Sequence, residues 1–213
     1  MTPNFNPLPR SFYAPSAAAV APRLLGHWLI RNSPDGPCGG PIVEAEAYLA
    51  DDDPASHAFG GEKPRNRVMF GPPGHAYVYL IYGFHFCVNA VCCPAGRAEA
   101  VLIRAVEAEV GLDAMRHNRQ AATTLALTNG PGKLCAALDI DRKLDGVDLC
   151  DASAPLFIAR SPDLARFRRQ RGPVAVSTRI GISKAASLPL RFYLGGSPFM
   201  SRRVRASAAP SSA

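Results

Sequence analysis

Apolar and polar residues alternate with period two most clearly over residues 41–49. Val43, Ala45, Ala47 and Leu49 share one face and are predicted to meet a core, while Glu44, Glu46 and Tyr48 share the other. Strand patterns recur over 27–31, 100–106, 156–160, 174–182 and 190–194, and 32–40 is rich in turn residues. Residues 76–90 read as a β-hairpin broken at Tyr82-Gly83, where glycine is free to take positive φ. Helical patterns are fewer and short: 16–25 (interrupted by Pro22), 111–119, and 132–138 after Asn129-Gly130-Pro131. Strands outnumber helices without regular β-α alternation. The expectation is an α+β fold, a single mixed domain over residues 1–205 around a largely antiparallel sheet. Residues 206–213, rich in Ala and Ser, are expected to be a frayed tail.

Composition narrows the class. A chain of 213 residues, 47% apolar and 19% charged, can bury a core and is not expected to be disordered. No apolar run approaches the roughly 18 residues of a membrane span, and the polar, proline-containing start lacks a signal-segment pattern. Neither a secreted nor a membrane protein is expected. Six cysteines occur without C-x-x-C or zinc-finger spacing, and read as reduced, mostly buried thiols. His85 and Cys87 could share a metal but have no further ligands nearby, so no metal site is expected.

Charge is distributed unevenly. The net charge is +7, and the stretch 160–205 holds eleven basic residues against the single acid Asp163. Arginine dominates there, as suits bidentate phosphate contacts, and a polyanionic partner is the expectation. Arg202 and Arg203 are candidate phosphate contacts. So is Lys133 in Asn129-Gly-Pro-Gly-Lys133, a turn that lacks the first glycine and the Ser/Thr of a P-loop but places backbone amides at a helix start.

Glu44 and Glu46 carry the first candidate chemistry. Carboxylates spaced i, i+2 along a strand lie roughly 6.6 Å apart, within reach of a general acid–base pair or of one base and a structural acid. A half-exposed strand with two solvated glutamates is the plainer reading of the alternation. Asp51-Asp52-Asp53 reads as a solvated turn, and His57 as a hydrogen-bonded structural histidine. Tyr77, Tyr79, Tyr82, Phe84, His85 and Phe86 crowd one hairpin. An aromatic at its tip is costly unless it binds something, and beside a basic surface it could wedge between bases. Asn89, inside an apolar strand, requires a hydrogen-bond partner.

Seven segments in order resemble the alkyladenine (3-methylpurine) DNA glycosylase family. They are Val43-Glu-Ala-Glu-Ala-Tyr48, Pro64-Arg-Asn-Arg67, Tyr77-Val-Tyr-Leu-Ile-Tyr-Gly83, Phe86-Cys-Val-Asn89, Val101-Leu-Ile-Arg104, Gly130-Pro-Gly-Lys-Leu-Cys135 and Pro189-Leu-Arg-Phe-Tyr193 with Gly196-Ser-Pro198. The resemblance implies a curved antiparallel sheet with a β-hairpin that enters the DNA minor groove. It also implies hydrolysis of the N-glycosidic bond of alkylated or deaminated purines without metal or cofactor. The implied substrates are 3-methyladenine, 7-methylguanine, hypoxanthine and 1,N6-ethenoadenine in double-stranded DNA. By motif position, Glu46 matches the water-activating base, Arg104 an arginine that holds the water, and the Ile182 carbonyl a third contact to it. Tyr48, His57 and Tyr79 match the residues around the extruded base, and Tyr82 the side chain filling the vacated duplex. Asn89 matches the pocket residue that disfavours guanine. Phe84 and His85 fall where the family varies, and 117–128 has no clear match. Two other readings use the same residues: a hydrolase of small glycosides or nucleosides working through Glu44 and Glu46, and a non-catalytic nucleic-acid binder. A monomer is expected, cytoplasmic in a bacterium or nuclear in a eukaryote.

Overall fold

A computed structural model describes residues 5–201. Arg202, Arg203 and the Ala/Ser-rich tail lie outside the described residues. The strands are β1 (Trp28–Ser33), β2 (Gly36–Tyr48), β3 (Ala76–Ile81), β4 (His85–Cys92), β5 (Glu99–Val106), β6 (Leu156–Ala159), β7 (Val174–Ser177) and β8 (Arg191–Leu194). All pair antiparallel, in the order β3-β4-β5-β2-β1-β6, with β8 on β2 and β7 on β8. The helices are α1 (Ala17–Leu24), α2 (Leu112–Asn118), α3 (Thr124–Thr128), α4 (Pro131–Ala137) and α5 (Leu164–Arg171). This is the expected α+β class, a single mixed domain around a curled antiparallel sheet.

The curl follows from β2. Its first half pairs with β1 and its second half with β5 and β8. Between the two halves, a Cβ on Gly40 would lie 1.7 Å from the Glu107 carbonyl oxygen, so only glycine lets the strands cross there. The strand begins five residues before the predicted 41–49, because Gly36, Pro37, Gly39 and Gly40 read as a turn yet pair in register with β1. Pro22 sits inside α1, in its last turn. A cluster including Leu24, Leu29, Val78, Val101, Ile103 and Leu134 forms the main core between the sheet and α1, α3 and α4. Predicted strand 174–182 ends early, since only Val174–Ser177 pairs with β8 and the chain then turns inward at Arg179. Two helices were not visible in the pattern. One is α3, whose Thr123 hydroxyl accepts the Ala126 amide. The other is α5, capped by Asp163 on the Arg166 amide.

All six cysteines are free; five are buried and Cys150 is half-buried. Among the described residues, no three His, Cys, Asp or Glu side chains converge as a metal would require. No helix among them is long and apolar enough to cross a membrane.

Candidate active site

One row of residues crosses four strands and continues onto the next. Tyr77 on β3 faces Asn89 on β4, Asn89 faces Leu102 on β5, Leu102 faces Glu46 on β2, and Glu46 faces Arg191 on β8. Directly paired residues share a side of the sheet, so the register alone brings these five side chains to one face. Over that face opens a cleft of about 510 Å³, the size range of small-molecule sites. Tyr48, His57, Tyr77, Tyr79, Asn89, Leu102, Arg104 and Ile182 line it, with Tyr82, His85 and Lys133 among the residues around it.

The two glutamates are wholly buried, which rules out the solvated-face reading. Their surroundings differ. On Glu44, Oε1 accepts from Arg104 Nε at 2.9 Å, Arg191 Nε at 2.8 Å and the Ser201 hydroxyl at 2.7 Å, and Oε2 accepts the Ser201 amide at 2.6 Å. A carboxylate has about four acceptor positions, so Glu44 is saturated. Burial raises its pKa, but Arg104, Arg191 and the Ser201 amide outweigh burial and hold it below the usual carboxylate range.

On Glu46, Oε1 accepts the Ile180 amide at 2.7 Å. Oε2 accepts the Tyr48 hydroxyl at 3.0 Å and lies 3.2 Å from an Arg104 terminal nitrogen. Here burial dominates and pushes the carboxyl above its usual range, helped by the charge of Glu44 and opposed by Arg104, Ile180 and Tyr48. Glu46 touches the cleft through Tyr48, Arg104 and Ile180, all of which line it. Arg104 is brought to both carboxylates by paired register shifts around Glu44, where β5 advances from Ala105 to Ile103 while β2 advances one residue. Such a bulge re-aims the side chain of the extra residue.

The structure places His57, Tyr77 and Tyr79 together on one wall of the cleft. The rings of His57 and Tyr79 meet edge-on at 4.5 Å, and Tyr77 stacks on Tyr79 at 5.4 Å. His57 Nδ1 lies 2.9 Å from the Tyr77 hydroxyl, and burial together with Arg65 lowers the imidazole pKa. Asn89 finds its partner: its amide donates to the Tyr77 carbonyl at 3.0 Å. Ile182 lines the cleft, while the group of this segment that binds Glu46 is the Ile180 amide, which sequence reasoning missed.

Strands β3 and β4 form the predicted hairpin, with Tyr82, Gly83 and Phe84 as its loop. Tyr82 and Phe84 are each 71% exposed. Gly83 takes φ +78°, and Tyr82 itself takes φ +55°, a left-handed conformation that costs a bulky residue about 1–3 kcal/mol.

Two expectations about charge are corrected. Asp53 is no solvated turn residue: it is fully buried and accepts a bidentate fork from Arg179 at 2.6 and 2.7 Å. The basic stretch is also partly internal. Arg168 binds the carbonyls of Pro22, Arg23 and Leu25, Arg171 pairs with Glu107, Arg179 with Asp53 and Arg191 with Glu44. Arg160, Arg166, Arg169 and Lys184 are the exposed cations of that stretch among the described residues. Lys133 is exposed near the cleft, donating to Asn129 Oδ1 at 2.9 Å.

Comparison with known proteins places the chain in a family. Residues 11–198 match the family described as methylpurine-DNA glycosylase. A protein of Methanoculleus marisnigri named, by inference, a 3-methyladenine DNA glycosylase is 49% identical over 92% of this chain and 99% of its own. Similarly named proteins of Nitrosospira multiformis (47% identical, 91% of this chain and 93% of its own) and Agrobacterium fabrum (45%, 95% and 97%) align equally fully. With the match spanning nearly the whole described domain, the chain belongs to the methylpurine-DNA glycosylase family of DNA-repair hydrolases.

Proposed function

We propose that this protein excises alkylated and deaminated purines, among them 3-methyladenine, 7-methylguanine, hypoxanthine and 1,N6-ethenoadenine, from double-stranded DNA. It hydrolyses the N-glycosidic bond and leaves an abasic site. The observation that carries this reading is the asymmetry of the two glutamates. Glu44 is saturated by four donors, whereas Glu46 holds three and has its carboxyl raised above the usual carboxylate range, which makes it the more basic of the two.

A purine inside a duplex hides its glycosidic bond, so it must be flipped out, at a cost of a few kcal/mol. Tyr48 and the joined rings of His57 and Tyr79 receive it in the cleft, each stacking contact returning about 1–3 kcal/mol. Tyr82, exposed at the hairpin tip, fills the space left in the stack. Loss of the base builds positive charge at C1′. The Glu46 carboxylate stabilises that charge and takes the proton of a water held with Arg104 and the Ile182 carbonyl. Asn89, fixed by the Tyr77 carbonyl, presents a group that clashes with the exocyclic amine of guanine. Cationic alkylated purines gain cation–π attraction from the tyrosines. The paired-glutamate glycosidase reading loses its second carboxylate, because Glu44 is consumed by Arg104, Arg191 and Ser201.

The route is hydrolysis rather than Schiff-base chemistry, with Lys133 at the cleft edge left to contact phosphate. Incubation with duplexes carrying one hypoxanthine or ethenoadenine, followed by alkaline cleavage, tests the reading. Free base and an abasic strand that breaks only on the alkaline treatment are expected. Uncut duplex would overturn the reading, and borohydride trapping of a protein–DNA adduct would overturn the hydrolytic route.

A further inference from the structure

Arg179 does not line the cleft and would touch neither the base nor the water. Its guanidinium is nevertheless fully buried and engaged on three sides. It forks onto Asp53 at 2.6 and 2.7 Å, donates to the Ala47 carbonyl at 3.0 Å, and lies 4.6 Å from the centroid of the Tyr48 ring. Asp53 is anchored in turn by the amides of Leu49 and Ala55. The next residue, Ile180, gives its amide to Glu46 Oε1 at 2.7 Å. One guanidinium therefore ties together the strand that carries Glu46 and Tyr48, the ring expected to stack on the base, and the segment that holds the carboxylate.

We propose that Arg179, clamped by Asp53, is a positioning residue for base excision: it holds the Tyr48 ring in stacking orientation and aims the Ile180 amide at Glu46. This inference rests on the proposed function and extends it to a residue outside the cleft. A planar fork is required, because lysine keeps the charge but can neither bind a carboxylate bidentately nor stack as a plane on the ring. The Ile180 amide is one of the groups that lower the pKa of Glu46 against burial. Displacing that amide removes an opposing influence, so the carboxylate should ionise at higher pH.

The test is single-turnover excision of hypoxanthine from a duplex across pH, comparing wild type with Arg179→Lys after circular dichroism confirms folding. The expected result is an acid limb moved to higher pH and a plateau rate about tenfold to a hundredfold lower, as small displacements at a reacting centre produce. Duplex affinity should change far less. A second variant replaces the peptide bond before residue 180 by an ester, removing the N–H while keeping every side chain; the same upward move of the acid limb is expected. Should the folded Arg179→Lys protein keep both limb and plateau, or the ester variant keep its limb, the positioning role is wrong. Absence of excision by wild type in the same assay would instead refute the proposed function.

Discussion

Glu44 and Glu46 stand two residues apart on one strand and share Arg104, yet their carboxyls are displaced in opposite directions. Burial acts on both. The difference lies in the donors: Glu44 adds Arg191 and both polar groups of Ser201, and becomes a structural anion. Glu46, with less compensation, is left as the more basic carboxylate. A fold can build one base and one anchor from identical side chains in this way.

Glu44→Gln should therefore damage the fold more than the chemistry. Removing one partner of a buried ion pair strands the other, typically at about 3–5 kcal/mol, and here both Arg104 and Arg191 would be left. Urea unfolding should show a loss of that size. Equal stability of Glu44→Gln and wild type would mean that the arginines find other partners.

Acid should begin to destabilise the protein above the usual carboxylate range. Burial, with Arg168 and Arg160 nearby, lowers the His27 pKa from its ordinary value near 6.5 to about 4. The unfolded chain thus takes up a proton first as pH falls, and stability declines through the window from 6.5 to about 4. At about 1.4 kcal/mol per unit the loss is of order 3 kcal/mol. His27→Gln should flatten this slope in unfolding measurements, and an unchanged slope would move the effect to other groups. Glu44 acts lower: its depressed pKa contributes stability above the unfolded carboxyl range that is lost as pH falls through the folded value.

The hairpin tip should show stability and function opposed. Asparagine tolerates the left-handed conformation that Tyr82 occupies at φ +55°. Tyr82→Asn is expected to leave the unfolding free energy unchanged or raise it by about 1 kcal/mol. Commitment of a well-paired lesion to excision should fall, because the wedge is lost. A variant that loses stability and keeps full commitment would reverse the assignment.

Binding to duplex DNA should weaken with salt, but with a slope set by the exposed cations alone. Lys133→Ala should reduce the slope of log affinity against log salt by about one phosphate equivalent. Arg171→Ala should leave the slope intact and lower stability, since Arg171 is spent on Glu107. Equal slope changes for the two would show that the Arg171 pair opens on DNA.

The legible parts of this site were those with local periodicity. Alternation over 41–49 placed Glu46 and Tyr48 on one face, and Tyr82-Gly83 marked the hairpin turn. The motifs of the resemblance supplied Arg104, His57, Tyr79 and Asn89, and the register then joined four strands into one row. What failed to show depended on pairs distant in the chain. Asp53 reads as one of three solvated aspartates because its partner Arg179 is 126 residues away. The arginines of α5 and β8 read as surface charge for the same reason: Glu107 and Glu44 lie on or beside other strands. Helix α5 was hidden because its apolar contact is limited to Leu164 and Phe167 amid arginines and a glutamine.

The proposed function assigns the activation of water to Glu46 and not to Glu44. Single-turnover excision of hypoxanthine from duplex DNA by Glu46→Gln decides between the two. Glutamine keeps the shape, its oxygen can still accept the Ile180 amide and its NH2 can donate to the Tyr48 hydroxyl oxygen, but it cannot accept the proton. The predicted result is undiminished binding of the lesion duplex with the rate lowered by at least about 10²–10⁴-fold, as expected for loss of a positioned base. Wild-type excision by Glu46→Gln, with Glu44→Gln folded and inactive, would make Glu44 the base instead.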